Sequence, residues 1–162
     1  MTIGKKEIVE IIGATGIIAS LIFVGLQLKF DSRVAISDQF AFRAESGKAD
    51  NRAQLESETY MALQEKTWQA GDRWPWWTDE LENYVNARSL TGKEVWALYL
   101  ASRLRFLQWD NIYFQYTQGM IEEAYWRNAK LVFIEEFQDP FVNAVFHNVG
   151  GPIQRVIVAN EL

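Results

Sequence analysis

A chain of 162 residues, 49% hydrophobic and with a formal net charge of −5, has enough material for one domain with a core. Its acidic balance repels phosphate backbones and argues against nucleic-acid binding, and its scattered charges make no polybasic face for anionic lipid. With no cysteine, disulfides, thiolate metal sites and cysteine nucleophiles are excluded, while either side of a membrane stays open.

The first element is an apolar run, Ile8 to Leu28, with Lys5 and Lys6 before it and Lys29 and Arg33 after it. As a helix it is roughly 31 Å long, the thickness of a bilayer's hydrocarbon core. The alternatives are a buried core helix and a cleaved signal peptide. Buried helices usually carry shorter apolar runs, and Gln27-Leu28-Lys29 is a poor cleavage site. The expected organisation is therefore a transmembrane anchor over 1–29 and a helical soluble domain over 30–162. The lysines and glutamates of the first ten residues cancel, so the remainder keeps the charge of −5.

At 100° per residue, Glu10, Gly13, Gly16, Ser20 and Gln27 fall within roughly a 120° arc. Gly16 and Ser20 make a small-xxx-small spacing, which lets two helix backbones approach, and Gln27 can hydrogen-bond across such a contact. This arc is the expected helix-packing face. Glycine and alanine are common in membrane helices regardless, and Glu10 lies near one end of the span, where it can reach headgroups.

Beyond the span the helical pattern continues to about Gln69, with Gly47 and the polar residues after it as the expected bend. Gly71 to Thr78, GDRWPWWT, reads as a turn that Pro75 keeps from being helical. Trp68, Trp74, Trp76 and Trp77 are candidate interface aromatics, at a bilayer surface or a protein contact; the plainer reading folds the turn back on the core. Thr78 or Asp79 caps a short helix to about Arg88. Thr91 and Glu94 form a capping box for a helix to about Gln118, closed by Gly119. Further helices are expected over 121–137, 140–148 and 153–160. Strand-like alternation is missing, so the predicted fold class is all-α.

Chemistry is harder to find. His147 is the only histidine, which excludes paired-histidine zinc or di-iron sites. Glu122-Glu123 and Glu135-Glu136 lack an accompanying Glu-x-x-His, and no G-x-S-x-G occurs. Gly13 to Gly16 lies inside the apolar run and is no phosphate loop. Gln108, Asn111, Gln115 and Gln118 form a polar stripe that lines a groove or faces water. No catalytic residue, metal ligand or cofactor is expected.

The stretch Leu21-Ile-Phe-Val-Gly25-Leu-Gln27-Leu-Lys29 resembles a group of small bacterial membrane proteins with one N-terminal helix ending V-G-x-Q-hydrophobic-basic. The likeness extends to Leu90 through Glu94, Tyr113 through Tyr116 and Gly119 through Glu122, with little between Gly47 and Thr78. It implies the architecture and a bacterial origin only, and the group supplies no activity to transfer; with the apolar span, the expected location is a bacterial inner membrane.

The function expected from these residues is an accessory or assembly subunit that binds a larger membrane complex. Its partners would be membrane lipid and other membrane subunits or a second copy. Alternatives are a homo-oligomeric scaffold, and a tethered enzyme or small-ligand sensor whose site gathers groups such as Gln108, Asn111, Glu122 or His147. Basic residues after the span outnumber those before it, which favours a cytoplasmic soluble domain; Lys5 and Lys6 on a short N-terminus would instead place it in the periplasm.

Overall fold

The computed structural model describes residues 4–158, and among them every regular element is helical. Seven helices follow in order: α1 (Lys5–Glu56), α2 (Glu58–Gln69), α3 (Asp79–Ala87), α4 (Gly92–Thr117), α5 (Glu123–Phe137), α6 (Pro140–Asn148) and α7 (Pro152–Val158). The expected end of the last helix at residue 160 lies outside the described residues. The chain divides into two units, Met1–Gln39 and Phe40–Leu162.

In the first unit α1 carries an 18-residue window of mean hydropathy 2.1, none of it buried. It is long and apolar enough to cross a membrane. Ile11, Ile17, Leu21, Phe23 and Leu28 are each more than half exposed. The Thr15 hydroxyl donates to the Ile11 carbonyl at 2.8 Å, so this polar group is satisfied inside its own helix.

The second unit is built on α4, which packs against α2, α5, α6 and α7. Its start is fixed by the expected capping box: the Thr91 hydroxyl accepts from Glu94 N–H, and Glu94 Oε2 accepts from Thr91 N–H at 2.8 Å. Glu65 on α2 adds a carboxylate that accepts from Lys93 N–H at 2.7 Å. The negative charge meets the positive end of the helix dipole and ties α2 to α4. Gly92 is required there, because a Cβ would lie 2.5 Å from Trp68 Cβ. Gly119 closes the helix with φ +72°, a left-handed conformation that favours glycine. Asp139 caps α6, its Oδ1 accepting from the N–H groups of Phe141 and Val142, with Pro140 at the first helical position.

The core joins aromatic and branched side chains from α3 to α7. Phe106, Phe133, Phe141 and Phe146 are fully buried, and Phe133 sits 5.6 Å from Trp109 and 5.8 Å from Phe146, ring centre to ring centre. Such edge and offset contacts add to simple burial.

The helix does not break at Gly47, where a break or bend is expected; α1 runs through it and stops at Glu56. Ser57 makes the break, its hydroxyl accepting from Tyr60 N–H to cap α2. Gly47 serves close approach instead: a Cβ there would meet Leu107 Cδ1 at 3.1 Å. Phe40 stacks on Phe114 with centroids 4.1 Å apart; with Gly47 against Leu107, positions rise along α1 as they fall along α4, so this part of α1 runs antiparallel to α4.

Candidate functional site

The helix-packing arc is open along its length. Cβ atoms built on Gly13 and Gly16 meet no atom within 4 Å, and Glu10, Ser20 and Gln27 are exposed. Gly25, off the arc, is equally open. Glu10 pairs loosely with Lys6 at 3.9 Å, one helical turn away and solvent-exposed. The side chains of Ser20 and Gln27 form no hydrogen bond among the described residues.

The tryptophan turn is a folded unit. Gly71 takes φ +87° and releases the chain from α2. Trp74 stacks on Trp76 with an interplanar angle of 8° and lies 4.7 Å from Tyr99 and 4.8 Å from Trp96 on α4. Trp68 meets Trp77 edge to face at 5.2 Å. The Arg73 guanidinium sits 3.5 Å over the Trp68 ring, a cation–π contact, and its Nε lies 3.3 Å from Glu82 Oε2. Trp77 Nε1 donates to the same oxygen at 2.8 Å. Arg73 first, and Trp77 second, hold the Glu82 carboxyl below the usual carboxylate range. All four tryptophans are half-buried and packed against the core. The turn therefore joins α2, α3 and α4 through rings and one shared carboxylate.

The polar residues on which the alternative of a tethered enzyme or sensor depends do not converge. Gln108 and Glu122 are exposed, and Asn111 accepts from Gln115 Nε2 one turn along the same helix. Of the four only His147 lines one of the larger cavities, between the tryptophan turn, α3 and α6. A second groove, of about 760 Å³, runs between α2 and the start of α4, lined by Leu55, Thr59, Met61, Ala62, Lys93 and Ala97 among others. Among the described residues no group of three or more His, Asp or Glu could hold a metal ion.

Three buried polar groups, on Asn51, Arg103 and Asp110, carry no mark in the sequence. Asn51, 3% exposed, keeps its Nδ2 without a hydrogen bond, as does Arg103 with its Nε. Asp110 on α4 is 5% exposed and accepts from Ile153 N–H at 2.8 Å, in the first turn of α7. Gly151 makes room for it, since a Cβ there would lie 2.6 Å from Asp110 Oδ1. Burial pushes the Asp110 carboxyl up to about 6 from 3.8, against the opposing pull of the Ile153 N–H.

This shift has a measurable consequence. The folded chain holds its proton more tightly than the unfolded chain, so Asp110's contribution is greatest below about pH 4 and is lost as pH rises through about 6. Asp110→Asn keeps an acceptor for Ile153 and removes the titration. Its stability relative to wild type is expected to rise by up to about 3 kcal/mol between pH 4 and pH 7. Urea unfolding of both proteins at a series of pH values reads this difference; parallel curves would refute it.

No protein-family model matches the chain, and no curated protein or solved structure gives a significant match.

Proposed function

We propose that the chain is a single-pass, membrane-anchored accessory or assembly subunit that acts by binding a larger membrane complex. The supporting observation is the first part of α1, strongly apolar and unburied, with a glycine face open at Gly13 and Gly16. In hydrocarbon the apolar side chains gain nothing by helix pairing, because lipid tails are as apolar as leucine. Close backbone packing and interhelical hydrogen bonds remain as drivers. The glycines permit the first, and Ser20 and Gln27 offer the second, having no partner in their own helix. The aromatic second unit offers further contact surface, the partly exposed rings of Trp68, Trp74, Trp76 and Trp77 included.

In this reading the anchor sits in a bacterial inner membrane and the second unit faces the cytoplasm. Protease treatment of intact spheroplasts tests the side: protection of residues 40–158 is the expected outcome. Solubilisation in mild detergent tests the function. The chain should migrate with other membrane proteins, and Gly16→Leu, which fills the open face, should release it. A protein that always runs as a lone monomer would defeat the reading. Because the sequence has no cysteine, Ser20→Cys gives a single site for cross-linking. A cross-linked homodimer would instead favour a homo-oligomeric scaffold.

A further inference from the structure

The groove between the tryptophan turn, α3 and α6 encloses about 610 Å³ and is lined by Trp76, Glu80, Phe137, Asn143, His147 and Asn148 among others. Its hydrogen-bonding character is set by what its polar groups have already spent. His147 Nδ1 lies 3.0 Å from the Asn143 carbonyl oxygen. A carbonyl only accepts, so a ring proton is on Nδ1, and in the tautomer with that single proton Nε2 is an acceptor. Asn143 Nδ2 donates to the Phe137 carbonyl at 3.3 Å, and Asn148 Nδ2 to the Ala144 carbonyl at 2.8 Å. Both amides thereby leave Oδ1 unspent. The Glu80 carboxylate forms no ion pair or hydrogen bond among the described residues, and no lysine or arginine lines the groove. Gln138 contributes an amide with both donor and acceptor free.

The aromatic wall fits the same ligand chemistry. Trp76 is half-buried, with one face stacked on Trp74. Phe137 backs the His147 ring at 5.4 Å. Four unspent acceptors, one full negative charge and an indole call for a ligand that donates hydrogen bonds, is positive and tolerates a ring. The residues offer no metal-binding set of three or more carboxylates and imidazoles, so a metal ion is a poor fit. The chain's net charge of −5 adds a general attraction for cations.

We propose that this groove binds a small organic cation, a primary ammonium or a guanidinium group, held by Glu80, the side-chain oxygens of Asn143 and Asn148, and His147 Nε2 against Trp76. The cation is either a free amine or the tip of a lysine or arginine side chain. The proposal does not depend on the membrane reading: it concerns a groove wholly within the second unit.

The test uses the full chain, isotope-labelled and held in a mild non-ionic detergent, with amide resonances followed by NMR. Butylammonium and ethylguanidinium are titrated beside 1-butanol, the neutral counterpart of the first. Saturable shifts confined to the residues around Glu80, Asn143, His147 and Asn148 are expected with both cations and absent with 1-butanol. For so small a ligand a dissociation constant of roughly millimolar order is expected. Glu80→Gln should weaken binding roughly tenfold by removing the charge-assisted bond, and Trp76→Leu should weaken it as well. Glu80 is exposed, so its variant is expected to fold normally, and an unchanged unfolding midpoint verifies this. A further arm compares butylammonium with Nα-acetyl-lysine methylamide. Tighter binding of the lysine derivative points to a presented side chain, and equal or weaker binding to a free amine. Equal shifts with 1-butanol, unchanged affinity in Glu80→Gln, or no saturable shift up to about 100 mM cation would overturn the proposal.

Discussion

Arginine at both Ile17 and Leu21 is expected to keep the chain out of the membrane. The two side chains are 64% and 67% exposed, so neither substitution removes packing inside the protein. Arginine is also a good helix former, so the helix itself is not the target. The cost falls on transfer into lipid. An arginine near the centre of a membrane helix costs about 2.5–3.5 kcal/mol on insertion scales, so the pair costs about 5–7 kcal/mol. Apolar residues at the same positions contribute only a few tenths of a kcal/mol each in the favourable direction. Fractionation of lysed cells reads the outcome. The variant should leave the membrane pellet, while Ile17→Leu with Leu21→Ile should stay with it. The far-ultraviolet helix signal and tryptophan emission should survive in both, because the aromatic rings of the second unit are untouched. An arginine variant that remains integral to the membrane would show that something other than this stretch holds the chain there.

Phe133→Ala is expected to cost about 3–5 kcal/mol of folding stability, the range for truncating a large buried aromatic. The ring is fully buried on α5 and contacts Trp109 of α4, Phe146 of α6 and Phe137 of its own helix. Its removal leaves a cavity where three helices meet, and the surrounding rings can collapse only partly. A domain of this size is stable by about 5–15 kcal/mol, so the loss is a large fraction of the whole. Urea unfolding of the full chain in detergent, followed by tryptophan fluorescence, should show a lower midpoint with little change in slope. Leu131→Ala, two residues away on the same helix and 64% exposed, should change stability by less than about 0.5 kcal/mol. If the two variants behaved alike, α5 would not be packed as described.

Which helices were legible from sequence follows from how local their signals are. Thr78 and the Thr91–Glu94 box start α3 and α4 through hydrogen bonds spanning three residues. Asp139 with Pro140, and Gly119 with its positive φ, work over similar distances. The apolar character of α1's first half is likewise a property of consecutive residues. Gly47 shows the limit. A glycine in a helix reads as a break when its neighbours in sequence are all that is visible. Here its missing side chain serves Leu107, which only the packing against α4 reveals.

The groove lay beyond the sequence for the same reason. His147 stood out as the only histidine, but its surroundings depend on α3 meeting α6. The hydrogen bond from the Tyr84 hydroxyl to Asp139, across 55 positions, marks that meeting. Asn143, His147 and Asn148 sit at helical spacing on α6, a signal that could have been read, whereas the contributions of Trp76 and Glu80 could not. Asp110 is similar. It sits in α4 between Trp109 and Asn111, and nothing local marks it as buried. Its burial is decided by the return of α7, which places the Ile153 N–H on its carboxylate.

Anchoring of the chain as proposed requires α1's apolar half to be immersed in lipid. Alkaline carbonate washing of membranes from cells producing the unmodified chain tests this most directly. The chain should stay in the pellet and come out only with detergent; recovery in the carbonate supernatant, as for a peripheral or soluble protein, would contradict it.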